Sequence, residues 1–315
     1  NTESIISNKR LNMIRQVTIT NDFNESLTLE LASPEKSGLA IKSIEGLGPS
    51  KSVVNITELV TSDISIFNSS RISSRDIVIN LLYMKEPSVE DNRLKTYKFF
   101  PIKEKIKLSF LTDNREVYCY GYVESNVPSI FQKQSGCAIT IKCPDPFFYA
   151  TVNTAVEDSF TGIKNLFSFP FFNDSLTENT IEMGEIPSYP EQILYFDGEY
   201  STGIIIRMYC SNMVVDPVIY NVDTGERISI NTDKITALTG SPLSVGDTIL
   251  INTKKGEKSV KLIRGGDETN IIACLRSFDT WFTLKKGENK FTYSAKRGGE
   301  SLSISYEYST AYEGI

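Results

Sequence analysis

Four stretches of this 315-residue chain alternate apolar and polar side chains without a break. "KIKLSF" puts Ile106, Leu108 and Phe110 on one side. "CAITIKC" does the same with Cys137, Ile139, Ile141 and Cys143, "SLTLEL" with Leu27, Leu29 and Leu31, and "SLSISYEY" with Leu302, Ile304, Tyr306 and Tyr308. A period of two is the signature of half-buried antiparallel strands, and no helix presents these residues on one face. The predicted fold class is therefore mainly β: all-β with one short helix in the first half. That helix falls in "PSVEDNRLKTYKFFP", where Ser88 is the N-cap and Asp91 sits three residues on. Val89, Leu94, Tyr97 and Phe100, with Phe99 beside it, supply its expected apolar side, and Pro101 ends it.

The length exceeds what one ordinary core organises, so two domains are expected. The break falls at "CPDPFFY", because Pro144 and Pro146 cannot donate to a ladder. This gives a first domain over 1–143, a connector and variable loop over 144–190, and a second domain over 191–315. The apolar run "LFSFPFF" (166–172) reads as a buried loop or a partner contact. In the second half, glycine turns recur in "VIYNVDTGERISI", "TILINTKKGEKSVKLI" and "FTLKKGENKFTYSA". Short strands at that spacing suggest a β-sandwich or jelly roll.

The chain has no histidine, which removes Ser-His-Asp and Cys-His catalysis and His-ligated metals together. The five cysteines fit no zinc spacing and read as reduced, buried thiols. "IEGLGPSKS" (44–52) sets glycine beside lysine, as phosphate loops do. Its glycines are two apart, position 51 is lysine, and the run after it alternates like a strand; it is a turn that shapes backbone. Asp145 and Asp197 stand in connector and turn contexts, not in a glycosidase frame. No catalytic, cofactor-binding or metal-binding residue is therefore assigned, and the chain is expected not to be an enzyme. Net charge is -6, so total charge gives no reason to grip nucleic acid or an anionic membrane. No apolar run approaches the ~20 residues of a membrane helix, and "NTESIISNKR" lacks a signal-peptide core. Among the aromatics, "YCYGYV" aligns Tyr118, Tyr120 and Tyr122, for stacking sugars or bases or for packing against a helix or a neighbouring subunit. Trp281 and Tyr200 are the candidate sugar or partner contacts.

An ordered series of segments resembles the bacteriophage distal tail protein family, the siphovirus-type tail component. It runs through "IEGLGPSKSVVNI", "FNSSRISSRDIVINLLY", "NRLKTYKFFP" and "IKLSFLTDNREVYCYGYVESNVPSIFQKQSGCAITIKCPDPFFY". "NVDTGERISIN", "LSVGDTILINTKKGEKSV", "SFDTWFTLKKGENKFTYSA" and "ISYEYSTAYEGI" resemble its carboxy-terminal domain more loosely. "TSDISIFNSSR" departs from the family in lacking a glycine before the aromatic-asparagine pair. The resemblance implies an N-terminal β-sandwich plus helix that builds a hexameric ring, and a C-terminal galectin-like β-sandwich. It implies a structural virion protein of the tail tip or baseplate, made in the host bacterial cytoplasm. Its implied partners are other copies of the chain, the tail-tube protein, the tail-associated hub or lysin protein and a receptor-binding protein, with DNA only passing through the channel. A carbohydrate-binding module of a phage tail or cell-wall-targeting protein is the alternative, because galectin-like sandwiches often bind sugars. A tail-associated hydrolase is a third reading.

Overall fold

In a computed structural model, which describes residues 14–58, 63–129, 131, 134–151, 154–156, 191–277 and 279–315, each alternating stretch is a strand with its apolar set inward, except that Leu31 follows the end of its strand and is half-buried. The chain divides into two units, Asn1–Val152 with Ala311–Ile315, and Asn153–Thr310. The last five residues thus lie in the first unit, whereas sequence assigns them to the second domain. The run 166–172 lies outside the described residues.

The first unit contains β1 (Ile14–Thr20), β2 (Ser26–Glu30), β3 (Leu39–Glu45), β4 (Ser52–Glu58), β5 (Ser65–Ile72), β6 (Arg75–Tyr83), α1 (Val89–Phe99), β7 (Lys105–Thr112), β8 (Glu116–Ser129), β9 (Gly136–Cys143) and β10 (Phe148–Ala150). One antiparallel sheet runs β2-β1-β7-β8-β9-β6-β3, and β10 joins it by pairing with β8 and with the short strand Ala311–Tyr312. Its outermost strands β2 and β3 touch, so the sheet folds over a single core. The 14-residue β8 makes the bend possible, with a register shift between Val123 and Ser125 where it passes along β9. Gly121 on β8 is required by space. A Cβ there would lie 2.5 Å from Ile141 Cγ2 and 2.8 Å from Cys143 Sγ.

The predicted helix is α1. Ser88 caps it, its side chain accepting from the Asp91 N–H at 3.0 Å. Its packing reverses the expectation. Asn92 and Thr96 are fully buried, whereas Val89, Leu94 and Tyr97 are exposed, and of the predicted side only Phe100 is buried. The cause is what the helix packs against. Asn92 Nδ2 donates to the Met84 and Glu86 carbonyls, and Lys95 Nζ to the Ser37 carbonyl, so the docked face needs donors.

The second unit contains β11 (Thr154–Val156), β12 (Glu191–Phe196), β13 (Ile205–Cys210), β14 (Val215–Asn221), β15 (Arg227–Ser229), α2 (Thr232–Thr239), β16 (Thr248–Asn252), β17 (Ser259–Arg264), β18 (Asp267–Asn270), β19 (Gly287–Arg297) and β20 (Leu302–Tyr308). Two sheets, β11-β20-β13-β16-β17-β18 and β12-β19-β14-β15, contribute inward residues to one core, which makes this unit a β-sandwich. Two local expectations change. The turn at Gly287 does not join two paired strands: β19 begins there and pairs with β12 and β14. Helix α2 adds a second helix, capped by Asn231 Oδ1 on the Lys234 N–H and stopped by Gly240 at φ +78°.

Candidate functional site

The glycine turn of 44–52 joins β3 to β4, and its role is set by Arg75, the first residue of β6. Alternation puts Arg75 on the same side as Ile77 and Ile79, so its guanidinium enters the interior, where it is 3% exposed. It meets carbonyls there. Nη1 donates to Gly46 and Gly48 oxygens at 2.5 Å each, Nε to Pro146 oxygen at 2.7 Å and Nη2 to Glu313 oxygen at 2.6 Å. Phe148 lies under the guanidinium, 4.3 Å from centroid to Cζ. Burial lowers the Arg75 pKa, but four carbonyl dipoles satisfy the charged form. A phosphate loop turns N–H groups toward an anion; this turn directs carbonyls onto a cation. Gly46 needs φ +85°, and a Cβ on it would stand 2.0 Å from the Asp76 oxygen. Gly48 has no such constraint and contributes its carbonyl. A recess of about 220 Å³ opens beside this cradle, lined by Ser50, Ser52, Ile72, Arg75, Pro146, Phe147 and Glu313.

Strands β4 and β5 pair only with each other, so they form an arm separate from the main sheet. Every β4 residue is exposed, as is β5 up to Ile72. Cross-strand neighbours share a face, so Val54, Ile56 and Phe67 make one apolar stripe, at 51%, 54% and 61% exposure. Alternation continues that face to Glu58. The other face holds Val53 and Ile66, 48% and 49% exposed, with a polar ladder between them, Asn55 to Ser69 at 3.0 Å and Asn68 to Thr57 at 2.7 Å. A lone two-stranded hairpin is marginal in water.

The tyrosines of "YCYGYV" point outward from β8, opposite Lys105 and Lys107 on β7. Lys105 stands across from Tyr122 and Lys107 across from Tyr120, yet each ammonium leans one pair along. Lys105 Nζ lies 4.4 Å from the Tyr120 ring centroid, and Lys107 Nζ lies 4.3 Å from that of Tyr118. The Tyr118 and Tyr120 rings meet edge to face at 5.5 Å. This stripe is a solvent-facing, cationic aromatic surface, which sequence alone left open between packing and stacking.

In the second unit the structure brings Tyr200 and Trp281 to the same β16–β17 hairpin. Lys255 Nζ donates to the Tyr200 hydroxyl at 3.3 Å, and Lys258 Nζ lies 5.3 Å from the Trp281 ring. Two carboxylates of this unit hold the fold. Asp247, 1% exposed, receives Arg264 Nε at 2.8 Å and Nη2 at 2.6 Å. Asp279 holds the Ser229 backbone and hydroxyl. All five cysteines are buried and free. A shared S–H···S bond with Cys143, together with burial, pushes the Cys119 thiol up, away from a reactive thiolate. Asp145 accepts from Tyr149 in the connector. Among the described residues no acidic or cysteine cluster is placed to hold a metal, and no helix is long and apolar enough to cross a membrane.

The site geometry is thus an exposed two-stranded arm and an outward cationic aromatic face on the first of two β units. Residues 197–310 match the family model described as siphovirus-type tail component, C-terminal domain. The fold is similar over 94% of this chain and 98% of the other to the crystal structure of SPP1 Dit, described as a paradigm of the hub adsorption apparatus in phages infecting Gram-positive hosts, at TM-score 0.63 and 11% identity. It is also similar to a chain of the phage P2 baseplate in its activated conformation with Ca, at TM-score 0.55 and 15% identity, over 96% of this chain and 100% of that one. No curated protein sequence matches the chain significantly. Residues 197–310 thus carry the pattern of the siphovirus-type tail component's C-terminal domain, and the chain shares the fold of SPP1 Dit and of that baseplate chain.

Proposed function

We propose that copies of this chain close into a ring, hexameric as the family resemblance implies, at the tip of the phage tail. The ring joins the last tail-tube ring to the tail-associated hub, leaves a channel through which DNA passes, and offers its galectin-like second units to receptor-binding proteins. It is made in the host bacterial cytoplasm and carries no catalytic activity. The observation that carries this reading is the β4–β5 arm, whose apolar residues lie exposed on a hairpin too small to be stable alone. An assembly protein has a use for such a feature, and a monomeric enzyme has none. Electron microscopy and mass measurement of the purified chain test it: rings support the reading, and a strict monomer both in solution and in tail extracts overturns it.

A second reading, carbohydrate binding by the second unit, rests on the convergence of Tyr200 and Trp281 at one hairpin. Lys255 and Lys258 lie close to these two residues, which weighs against sugar stacking. Glycan-array binding that disappears in Trp281→Ala would support it, and an array without signal would remove it.

A further inference from the structure

The arm and the Lys–Tyr face are unfilled surfaces of opposite character within one unit. The arm presents the stripe Val54, Ile56 and Phe67, with Glu58 continuing the same face and Asp63 just before β5. Neither acid has an ion-pair partner among the described residues. The β7–β8 face presents Tyr120 and Tyr122, 43% and 45% exposed, beside Lys105 and Lys107. No carboxylate among the described residues lies within ion-pair distance of either lysine. Lys142 on β9 provides the contrast, since it is shared between Asp76 at 3.8 Å and Glu124 at 3.7 Å.

The dimensions agree as well as the charges. From Val54 to Glu58 the arm's face runs about 13 Å, and from Tyr118 to Tyr122 the aromatic stripe runs about 13 Å. Within one chain both surfaces stay exposed, so the arm does not cover the face of its own copy. Two different, complementary patches on one molecule make a heterologous contact, which repeats from copy to copy until it closes.

We infer that the β4–β5 arm of one copy lies on the β7–β8 face of a second copy. Val54, Ile56 and Phe67 cover Tyr120 and Tyr122, and Glu58 and Asp63 reach Lys105 and Lys107. The inference rests on the ring reading above and specifies which surfaces form the contact.

A charge swap tests it, read as molar mass by light scattering after size-exclusion chromatography. One variant carries Glu58→Lys with Asp63→Lys, the other Lys105→Glu with Lys107→Glu; Glu58, Asp63 and Lys105 are exposed and Lys107 is half-buried on the outward side of β7, and circular dichroism verifies that each variant folds. Each variant alone is expected to self-associate at least about tenfold more weakly, because like charges then meet at the contact. A one-to-one mixture is expected to recover the oligomer, because arm and face are again opposite in every contact of an alternating ring. Two outcomes overturn the contact while leaving the ring intact: folded variants that each assemble like the unaltered chain, or a mixture that fails to recover. Those results would assign the arm to a different tail protein. An unaltered chain that stays monomeric at every concentration overturns the ring reading and this contact together.

Discussion

Arg75 and Glu313 stand 238 residues apart in sequence, and Arg75 Nη2 donates to the Glu313 carbonyl at 2.6 Å. The same guanidinium holds Pro146, where the chain runs toward the second unit, so one side chain fixes the outgoing and the returning segment of the first unit. Arg75→Met keeps the volume but leaves Gly46, Gly48, Pro146 and Glu313 oxygens without their donor. We expect a loss of about 3–5 kcal/mol. The single tryptophan, Trp281, lies in the second unit and separates the effects. The far-ultraviolet dichroism transition in urea should move to lower denaturant while the tryptophan fluorescence transition stays. Coincident shifts of both would show that Arg75 supports more than the first unit.

The glycine turn divides into one obligatory residue and one permissive residue. Gly46→Ala adds a methyl 2.0 Å from the Asp76 oxygen at a positive φ, and is expected to cost more than about 2 kcal/mol. Gly48→Ala meets nothing within 4 Å and should stay within about 0.5 kcal/mol of the unaltered chain. Equal effects in urea denaturation would contradict this division.

Acid sensitivity should concentrate at Asp247. Burial raises its pKa, but the Arg264 fork and the Ser244 N–H outweigh burial and hold it below the ordinary carboxylate value. A carboxylate depressed in the fold contributes stability above its unfolded pKa of about 3.9, and that contribution is lost as pH falls through the folded value. Asp247→Asn should cost about 3 kcal/mol at neutral pH, since it leaves Arg264 without its counter-charge. The deficit should begin to shrink below about pH 4, where Asp247 of the unfolded chain takes up its proton, and close only as pH falls through the lower pKa of the folded state. Denaturation at a series of pH values checks both, and a deficit constant down to pH 2 would place the stabilising charge elsewhere.

Strands were legible because their signal is local. Cys137 to Cys143 and Leu302 to Tyr308 alternate without interruption, and each is a strand with that set inward. Arg75 carried a signal of the same kind: it precedes Ile77 and Ile79 at strand spacing, so alternation already turned it inward. Its partners were not legible, because they are backbone oxygens brought from residues 46, 48, 146 and 313 by the tertiary fold. The first strand of the arm alternates legibly, but alternation does not reveal its partner β5 or say whether a third strand covers the pair. Helix α2 had its cap Asn231 and its stop Gly240 in sequence. Its threonines and Ile235 favour strand, and the cap outweighed them only with Ile235 buried in the core.

Helix α1 gives the sharpest test of sequence-level reasoning, because hydrophobic pattern and structure disagree on which face is inside. A pattern argument says that Asn92→Leu improves the helix and Leu94→Lys damages it. The structure says the reverse. Asn92 is fully buried and donates to the Met84 and Glu86 carbonyls at 3.1 and 2.9 Å, whereas Leu94 is half exposed. Leucine at 92 has a similar volume but no donor, so both carbonyls lose their partner in a site closed to water, at about 2–3 kcal/mol. Lysine at 94 extends into solvent with good helix propensity and should change stability by less than about 0.5 kcal/mol. Thermal melts of the two variants decide between the arguments: a higher Tm for Asn92→Leu would mean that α1 docks through its apolar residues.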